Sequence, residues 1–336
     1  MLRFLVAPDA FKGTFDAAAV ADAIAGGIEG AGGQADRCPV ADGGEGTMAV
    51  LLEALGGERR AVRVHDPLRR PIEASFGLLG GGETAIVETA QASGLPLVAA
   101  AERDAERADT YGTGELIAAA IEAGARTVLL AAGGSATTDG GRGAIEALRQ
   151  SDAAFVLLPP YAPKRTNADV AVHVLCDVRT PYEDAARVFA PQKGADPAAV
   201  ERLAAGLDAY AAELPRDPRG VPMSGCAGGL SGGLWAHGAQ LRPGADFVLD
   251  ALNFDSRLAR VDAIVSGEGR FDAQSLKGKI VGAIAARCAT AGKPLHLIAG
   301  ENGLGSDLPA AISSVAEAST IEEIETRGGE FARLKT

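Results

Sequence analysis

Three loops in this 336-residue chain collect glycines, small hydroxyls and carboxylates directly after a short apolar run. Val128-Leu129-Leu130 leads into Gly133-Gly134-Ser135-Ala136-Thr137-Thr138-Asp139-Gly140-Gly141. Cys38-Pro39-Val40 leads into Ala41-Asp42-Gly43-Gly44-Glu45-Gly46-Thr47, and Ile264-Val265 into Ser266-Gly267-Glu268-Gly269-Arg270-Phe271-Asp272. Glycines let backbone amides approach a phosphate, and a helix N-terminus behind the loop adds positive potential. Carboxylates in the same loops repel phosphate, so a Mg²⁺ between them is the natural complement. The combination points to phosphoryl transfer.

The Gly133–Gly141 segment is neither a Walker A loop, which ends in Gly-Lys-Ser/Thr, nor a GxGxxG dinucleotide turn. Its chemistry is that of an anion nest, with Gly133, Gly134, Ser135, Thr137, Asp139 and Gly140 as the binding set. The plainer alternative is a turn with Asp139 capping a helix. Asp9 and Lys12 follow the first strand; Lys12 can reach a phosphate as a point charge, and Asp9 can hold a metal or position that lysine. Asp42 and Glu45 lie in a loop with three glycines and suit a metal. Glu268, Arg270 and Asp272, with Gln274, Ser275, Lys277 and Lys279, place both charge signs within twelve residues. Arginine there suits bidentate capture of a carboxylate or phosphate. Asp177 ends a strand ahead of Pro191-Gln192-Lys193-Gly194 and is a candidate base or metal ligand. The four histidines (His65, His173, His237, His296) show no ligand spacing, which argues against zinc and Ser-His-Asp chemistry.

Positioning such loops requires a repeated strand–loop–helix rhythm. Leu2–Ala7 reads as a strand, Asp16–Glu29 as an amphipathic helix closing at Gly30, and Thr47–Leu55 as a second helix. Ala61–Val64, Ile72–Leu79 and Thr84–Glu88 read as strands of an antiparallel section. Thr113–Ala123 is helical and Arg126–Ala131 a buried strand. Residues 150–169 carry little pattern. Val170–Leu175 is a strand, Pro197–Glu213 a helix, Gly225–Gly238 a glycine-packed helix and Phe247–Leu252 an apolar segment. The rhythm resumes from Asp262, with helix Lys279–Gly292 and strand Leu295–Ala299. The expected fold is α/β in two lobes around a cleft. Residues 1–62 and 258–336 make one, and residues 63–257, with the β-rich section, are inserted as the other.

Composition agrees with that size: 47% hydrophobic, 4% aromatic and 44 glycines support a sizeable core with many turns. A net charge of −12 argues against a nucleic-acid surface. Four scattered cysteines without a CxxC, and no apolar run of membrane length, point to a reduced, cytoplasmic protein that engages no membrane.

Taken in order, these segments resemble the type-1 glycerate kinases of bacteria. The matching stretches are Ala7-Pro-Asp-Ala-Phe-Lys-Gly-Thr14, Pro39-Val-Ala-Asp-Gly-Gly-Glu-Gly-Thr47, Glu88-Thr-Ala-Gln-Ala-Ser-Gly-Leu95, Thr110-Tyr-Gly-Thr-Gly-Glu-Leu-Ile117 and Gly133–Gly141. Val174-Leu-Cys-Asp-Val178, Val188-Phe-Ala-Pro-Gln-Lys-Gly-Ala195, Gly225–Gly233, Leu241-Arg-Pro-Gly244 and Gly267-Glu-Gly-Arg-Phe-Asp-Ala-Gln-Ser-Leu-Lys-Gly-Lys279 continue it to about residue 300. Departures are a shorter stretch between about 150 and 170, a reduced loop at Arg179–Ala186, Ile280-Val281 where Thr-Pro is customary, and a curtailed C-terminal helix.

The resemblance implies ATP- and Mg²⁺-dependent phosphorylation of D-glycerate, usually to 2-phosphoglycerate. It also implies two dissimilar α/β domains, one doubly wound and flavodoxin- or Rossmann-like, the other with a mixed, partly antiparallel sheet. For such a reaction the residues offer the 133–141 loop and Lys12 for ATP phosphates, and Asp42, Glu45 and Asp272 as candidates to hold Mg²⁺ directly or through water. Arg270 or Lys193 is the candidate clamp for the glycerate carboxylate, with Asp9 and Lys279 beside it. Asp177 is the candidate to accept the hydroxyl proton, although the resemblance does not settle which aspartate is the base. The alternatives are a kinase of another small hydroxy acid and a non-catalytic ligand-binding relative.

Overall fold

The computed structural model describes residues 1–151, 170–276, 279–305 and 308–334. Its strands are β1 (Arg3–Val6), β2 (Gln34–Arg37), β3 (Gly57–His65), β4 (Pro71–Leu79), β5 (Thr84–Glu88), β6 (Thr127–Ala131), β7 (Ala171–Cys176), β8 (Gln240–Pro243), β9 (Ala263–Phe271), β10 (Leu295–Asn302) and β11 (Ser314–Glu317). They form two sheets, ordered β11-β10-β9-β1-β2 and β3-β4-β5-β6-β7-β8. Contacts divide the chain into one unit of Met1–Asp42 with Ala245–Thr336 and another of Gly43–Gly244.

In the first unit every strand pairing is parallel. Helix Ala17–Gly30 begins at Asp16, whose carboxylate accepts from the Ala19 amide, and lays Val20, Ile24 and Ile28 against Phe4 and Val6. Helix Ile321–Arg333 starts at a Thr320/Glu323 capping box and adds Ile324 and Phe331 to the same core. The chain runs from β1 outward to β2 on one side and from β9 through β10 to β11 on the other. Such a reversal opens a crevice beyond the carboxyl ends of the two central strands, the usual ligand position in open α/β sheets.

In the second unit β3, β4 and β5 pair antiparallel, while β5 through β8 run parallel. The three expected antiparallel strands are therefore present, each within a few residues of its expected bounds. Helix Tyr111–Glu122 covers this sheet with Leu116 and Ile117, beside Ile145 and Leu148 of helix Arg142–Gln150. All four cysteines are free and buried, and no helix among the described residues is long and apolar enough to cross a membrane.

Two expectations are corrected. The Cys38–Val40 run itself lies just beyond β2, which ends at Arg37, before Pro39 removes a ladder donor. Ile264-Val265 does not stop at a loop, because β9 continues to Phe271 by pairing with β10 as far as Asn302. Gly225–Gly238 is not one helix: Ala227 and Gly228 take left-handed dihedrals, and only Leu230–Ala236 is α-helical. Residues 43–62, expected with the termini, make their contacts with β4 and β5. Residues 245–257 sit with the first unit, where Arg287 pairs with Asp250 at 2.7 Å. The unpatterned stretch 152–169 lies outside the described residues.

Candidate active site

The carboxyl ends of β6 and β7 position the glycine-rich loop and Asp177. The Ala132 amide donates to the Leu175 carbonyl at 3.1 Å, so the two strand ends leave the sheet together. Lys193 comes from the short turn Pro191–Lys193 and is buried, only 3% exposed. Its Nζ donates to the Thr137 carbonyl at 2.5 Å and to the Ser135 hydroxyl at 3.1 Å. Burial pushes its pKa down to about 8, while the charges of Asp139 and Asp177 act to raise it. The Thr137 and Thr138 hydroxyls are buried and have no hydrogen-bond partner among the described residues. A Cβ on Gly133 would come within 2.7 Å of the Gly44 Cα and 3.3 Å of Asp177 Oδ2, so glycine is what lets these segments meet.

The second half of the loop is structural. Asp139 Oδ2 accepts from the Thr110 amide (3.0 Å), the Thr110 hydroxyl (2.7 Å) and the Gly143 amide (2.9 Å), and Oδ1 accepts from the Gly141 amide (3.1 Å). Four donors occupy the carboxylate at the start of helix Arg142–Gln150, where anions favour the dipole. The Gly140 amide donates to the Gly228 carbonyl at 3.0 Å. Gly140 has φ +68°, and a Cβ there would lie 2.1 Å from the Tyr182 hydroxyl. Asp139 and Gly140, expected as phosphate ligands, hold the loop through these contacts.

In the first unit a pocket of about 460 Å³ opens at the switch point. Asp9 and Lys12 reach it from beyond β1, Asp42 from beyond β2, and Glu268 and Arg270 from the end of β9. Lys279, at the N-terminus of helix Ile280–Ala291, and Glu301, near the end of β10, complete the charged lining. Lys12 Nζ lies 3.8 Å from Asp42 Oδ2. Burial, then the Asp42 charge, pushes the Asp9 pKa up to about 8, against the pull of Lys12 and a hydrogen bond from the Ala10 amide. Burial likewise raises Glu268 to about 7, opposed by Ser275 and Lys279, and its Oε1 has no partner among the described residues.

Of the expected metal set, Asp42 lines this pocket of the first unit. Glu45 is exposed and belongs to the second unit, where its charge bears on the buried Glu88. Asp272 Oδ1 accepts the Gln274 amide at 2.8 Å and so closes a turn. Among the described residues no three acidic, histidine or cysteine side chains gather into a metal cage. Mg²⁺ needs no such cage, since one or two carboxylates with waters and phosphates suffice. Asp42 with Asp9 or Glu268 fits that mode, because the Asp42 charge helps raise the proton affinity of both Asp9 and Glu268, and Glu268 Oε1 is unpartnered. Arg270 is paired with Asp272 (3.6 Å) and Glu301 (3.7 Å) and largely exposed. The role of Glu301 was not foreseen, because reading β10 as ending at Ala299 hid its place opposite Arg270.

A buried lysine fixed to a loop of small hydroxyls, and a carboxylate basin at a sheet's switch point, have the chemistry that the class of small-molecule kinases requires. Comparison with known proteins narrows that class. The sequence model of the glycerate kinase family matches residues 4–154 and 161–328. A glycerate kinase of Halalkalibacterium halodurans is 35% identical, with 98% of this chain and 94% of the relative covered. The glycerate 2-kinase of Escherichia coli K12 is 36% identical, with 89% of this chain and 85% of the relative covered, and the glycerate kinase of Haemophilus influenzae is 37% identical, with 89% and 86% covered. A crystal structure from Salmonella typhimurium LT2, of a protein assigned as glycerate kinase 2, superposes with a TM-score of 0.80 at 33% identity, covering 98% of this chain and 97% of the other. The chain belongs to the glycerate kinase family.

Proposed function

We propose that the protein transfers the γ-phosphoryl group of ATP to the 2-hydroxyl of D-glycerate, with Mg²⁺, giving 2-phosphoglycerate. The observation that carries this reading is Lys193: a buried cation fixed to Thr137 and Ser135, in the charge field of Asp177. Phosphoryl transfer needs positioning and charge neutralisation more than covalent chemistry. Lys193, the amides of Gly133–Thr138 and the unpartnered Thr137 hydroxyl supply fixed positive potential for phosphate oxygens. Asp177 accepts the proton of the attacking hydroxyl. Asp42, beside Lys12 and Asp9, holds the metal with Glu268 or Asp9 as second carboxylate, and Lys12 and Lys279 add charge for the anionic substrates. Mg²⁺, when bound, neutralises charge on the transferring phosphates. The 2-position is supported by the E. coli relative, named a glycerate 2-kinase.

Coupled measurement of ADP release tests the proposal. Turnover is expected with D-glycerate, Mg²⁺ and ATP together, and far less with L-glycerate or after chelation of the metal. Folded protein that releases no ADP in response to D-glycerate contradicts the reading, and a preference for another small hydroxy acid replaces the substrate.

A further inference from the structure

A pocket of about 360 Å³ in the Gly43–Gly244 unit lies between the start of helix Arg142–Gln150 and helix Pro197–Glu213. Its lining carries four arginines and four carboxylates, and the ion pairs are shared unevenly among them. The Asp139 carboxylate is occupied by four donors. Arg69 pairs with Asp109 at 2.6 Å and Glu146 at 2.9 Å, and Arg202 pairs with Glu106 at 2.8 Å. Two lining arginines remain. Arg107 makes no ion pair among the described residues, and Arg142 lies over the Tyr210 ring with Glu213 a distant 4.0 Å away. Thr138, only 3% exposed and with an unpartnered hydroxyl, lines the same pocket. Arg69 itself holds a left-handed φ of 62°, strain of the kind that collects at ligand clamps.

We propose that this pocket binds a small phosphate-bearing anion, inorganic phosphate or a simple phosphomonoester, through Arg107, Arg142 and Thr138. Occupancy is transmitted to catalysis, because Thr138 directly follows Thr137, whose carbonyl holds Lys193. Charge-assisted hydrogen bonds from arginine suit such an oxyanion. The pocket shares no lining residue with the carboxylate pocket of the first unit, and its binding test does not depend on turnover.

Calorimetric titration with inorganic phosphate, and separately with glycerol phosphate, measures the affinity of wild type, Arg107→Gln/Arg142→Gln and Lys193→Met. The double variant, changed at surface positions, should bind at least tenfold more weakly, while Lys193→Met stays within about twofold. Thr138→Val, nearly isosteric, should also weaken binding. The tighter of the two probes identifies the source of the phosphate group. Without phosphate, the double variant should turn over like wild type; phosphate near its Kd should change wild-type turnover at least twofold more than that of the double variant. Undiminished binding by the double variant, binding abolished only by Lys193→Met, or no measurable binding to wild type each overturns the site. Equal effects of phosphate on both enzymes overturn the coupling.

Discussion

The Lys193 ammonium donates to the Thr137 carbonyl at 2.5 Å, which fixes a buried cation to the residue whose own hydroxyl is unpartnered. A cation held this way is already desolvated and aimed before an anion arrives. Preorganised charge of this kind carries much of the rate enhancement in transfer reactions.

Lys193→Met should therefore lower kcat/KM by roughly 10²–10³, the usual scale for one donor used in the transition state. Its thermal midpoint should stay level or rise, because methionine removes the cost of burying a charge. Steady-state kinetics with a melting curve checks both. A variant that melts like wild type and keeps full turnover removes Lys193 from the site.

The same burial sets a pH limit. Lys193 is held at about 8, below its ordinary 10.5, so the folded free enzyme loses this charge as pH rises through 8. Because kcat/KM reports the free enzyme, it should fall above that pH. Stability moves oppositely: between about 8 and 10.5 the unfolded chain binds more protons, so this group's contribution rises with pH. Lys193→Arg keeps its charge and should carry the alkaline limb to higher pH. An unchanged profile in that variant assigns the limb to another group.

Asp177→Asn keeps the shape and the acceptor but cannot take a proton at neutral pH. Turnover should fall by about 10²–10⁴ while ATP and glycerate still bind. Partial rescue by excess Mg²⁺ would make Asp177 a metal ligand instead. Unchanged kcat at every Mg²⁺ concentration excludes it from the chemistry.

Asp139→Asn separates structure from chemistry inside one loop. Its carboxylate accepts four hydrogen bonds, and an amide group turns one acceptor into a donor facing donors. The expected cost is about 1–3 kcal/mol of stability. Folded at low temperature, the variant should retain most of its activity. Loss of turnover with an unchanged melting temperature would return Asp139 to the phosphate site.

The sequence shows the strand–loop–helix rhythm clearly, because short apolar runs next to glycine clusters leave few other structures open. It also singles out Asp9, Lys12, Asp42 and Lys279, which line one pocket of the first unit. What it hides are long-range pairings. β9 looks finished at Val265, yet hydrogen bonding to β10 carries polar Ser266–Arg270 onward as strand. Asp139 reads more readily as a ligand than as a cap until Thr110, 29 positions earlier, supplies two donors. The burial of Lys193 depends on its packing against a loop 56 and 58 positions away.

The most direct test of the central claim is a ³¹P NMR spectrum of the reaction of Mg²⁺-ATP with D-glycerate. The account predicts loss of the ATP γ-signal matched by one new phosphomonoester resonance, split into a doublet by the single hydrogen on C2. A triplet from a phosphorylated CH₂ group would contradict the proposed position of transfer. No new phosphomonoester signal from folded enzyme would contradict the kinase reading itself.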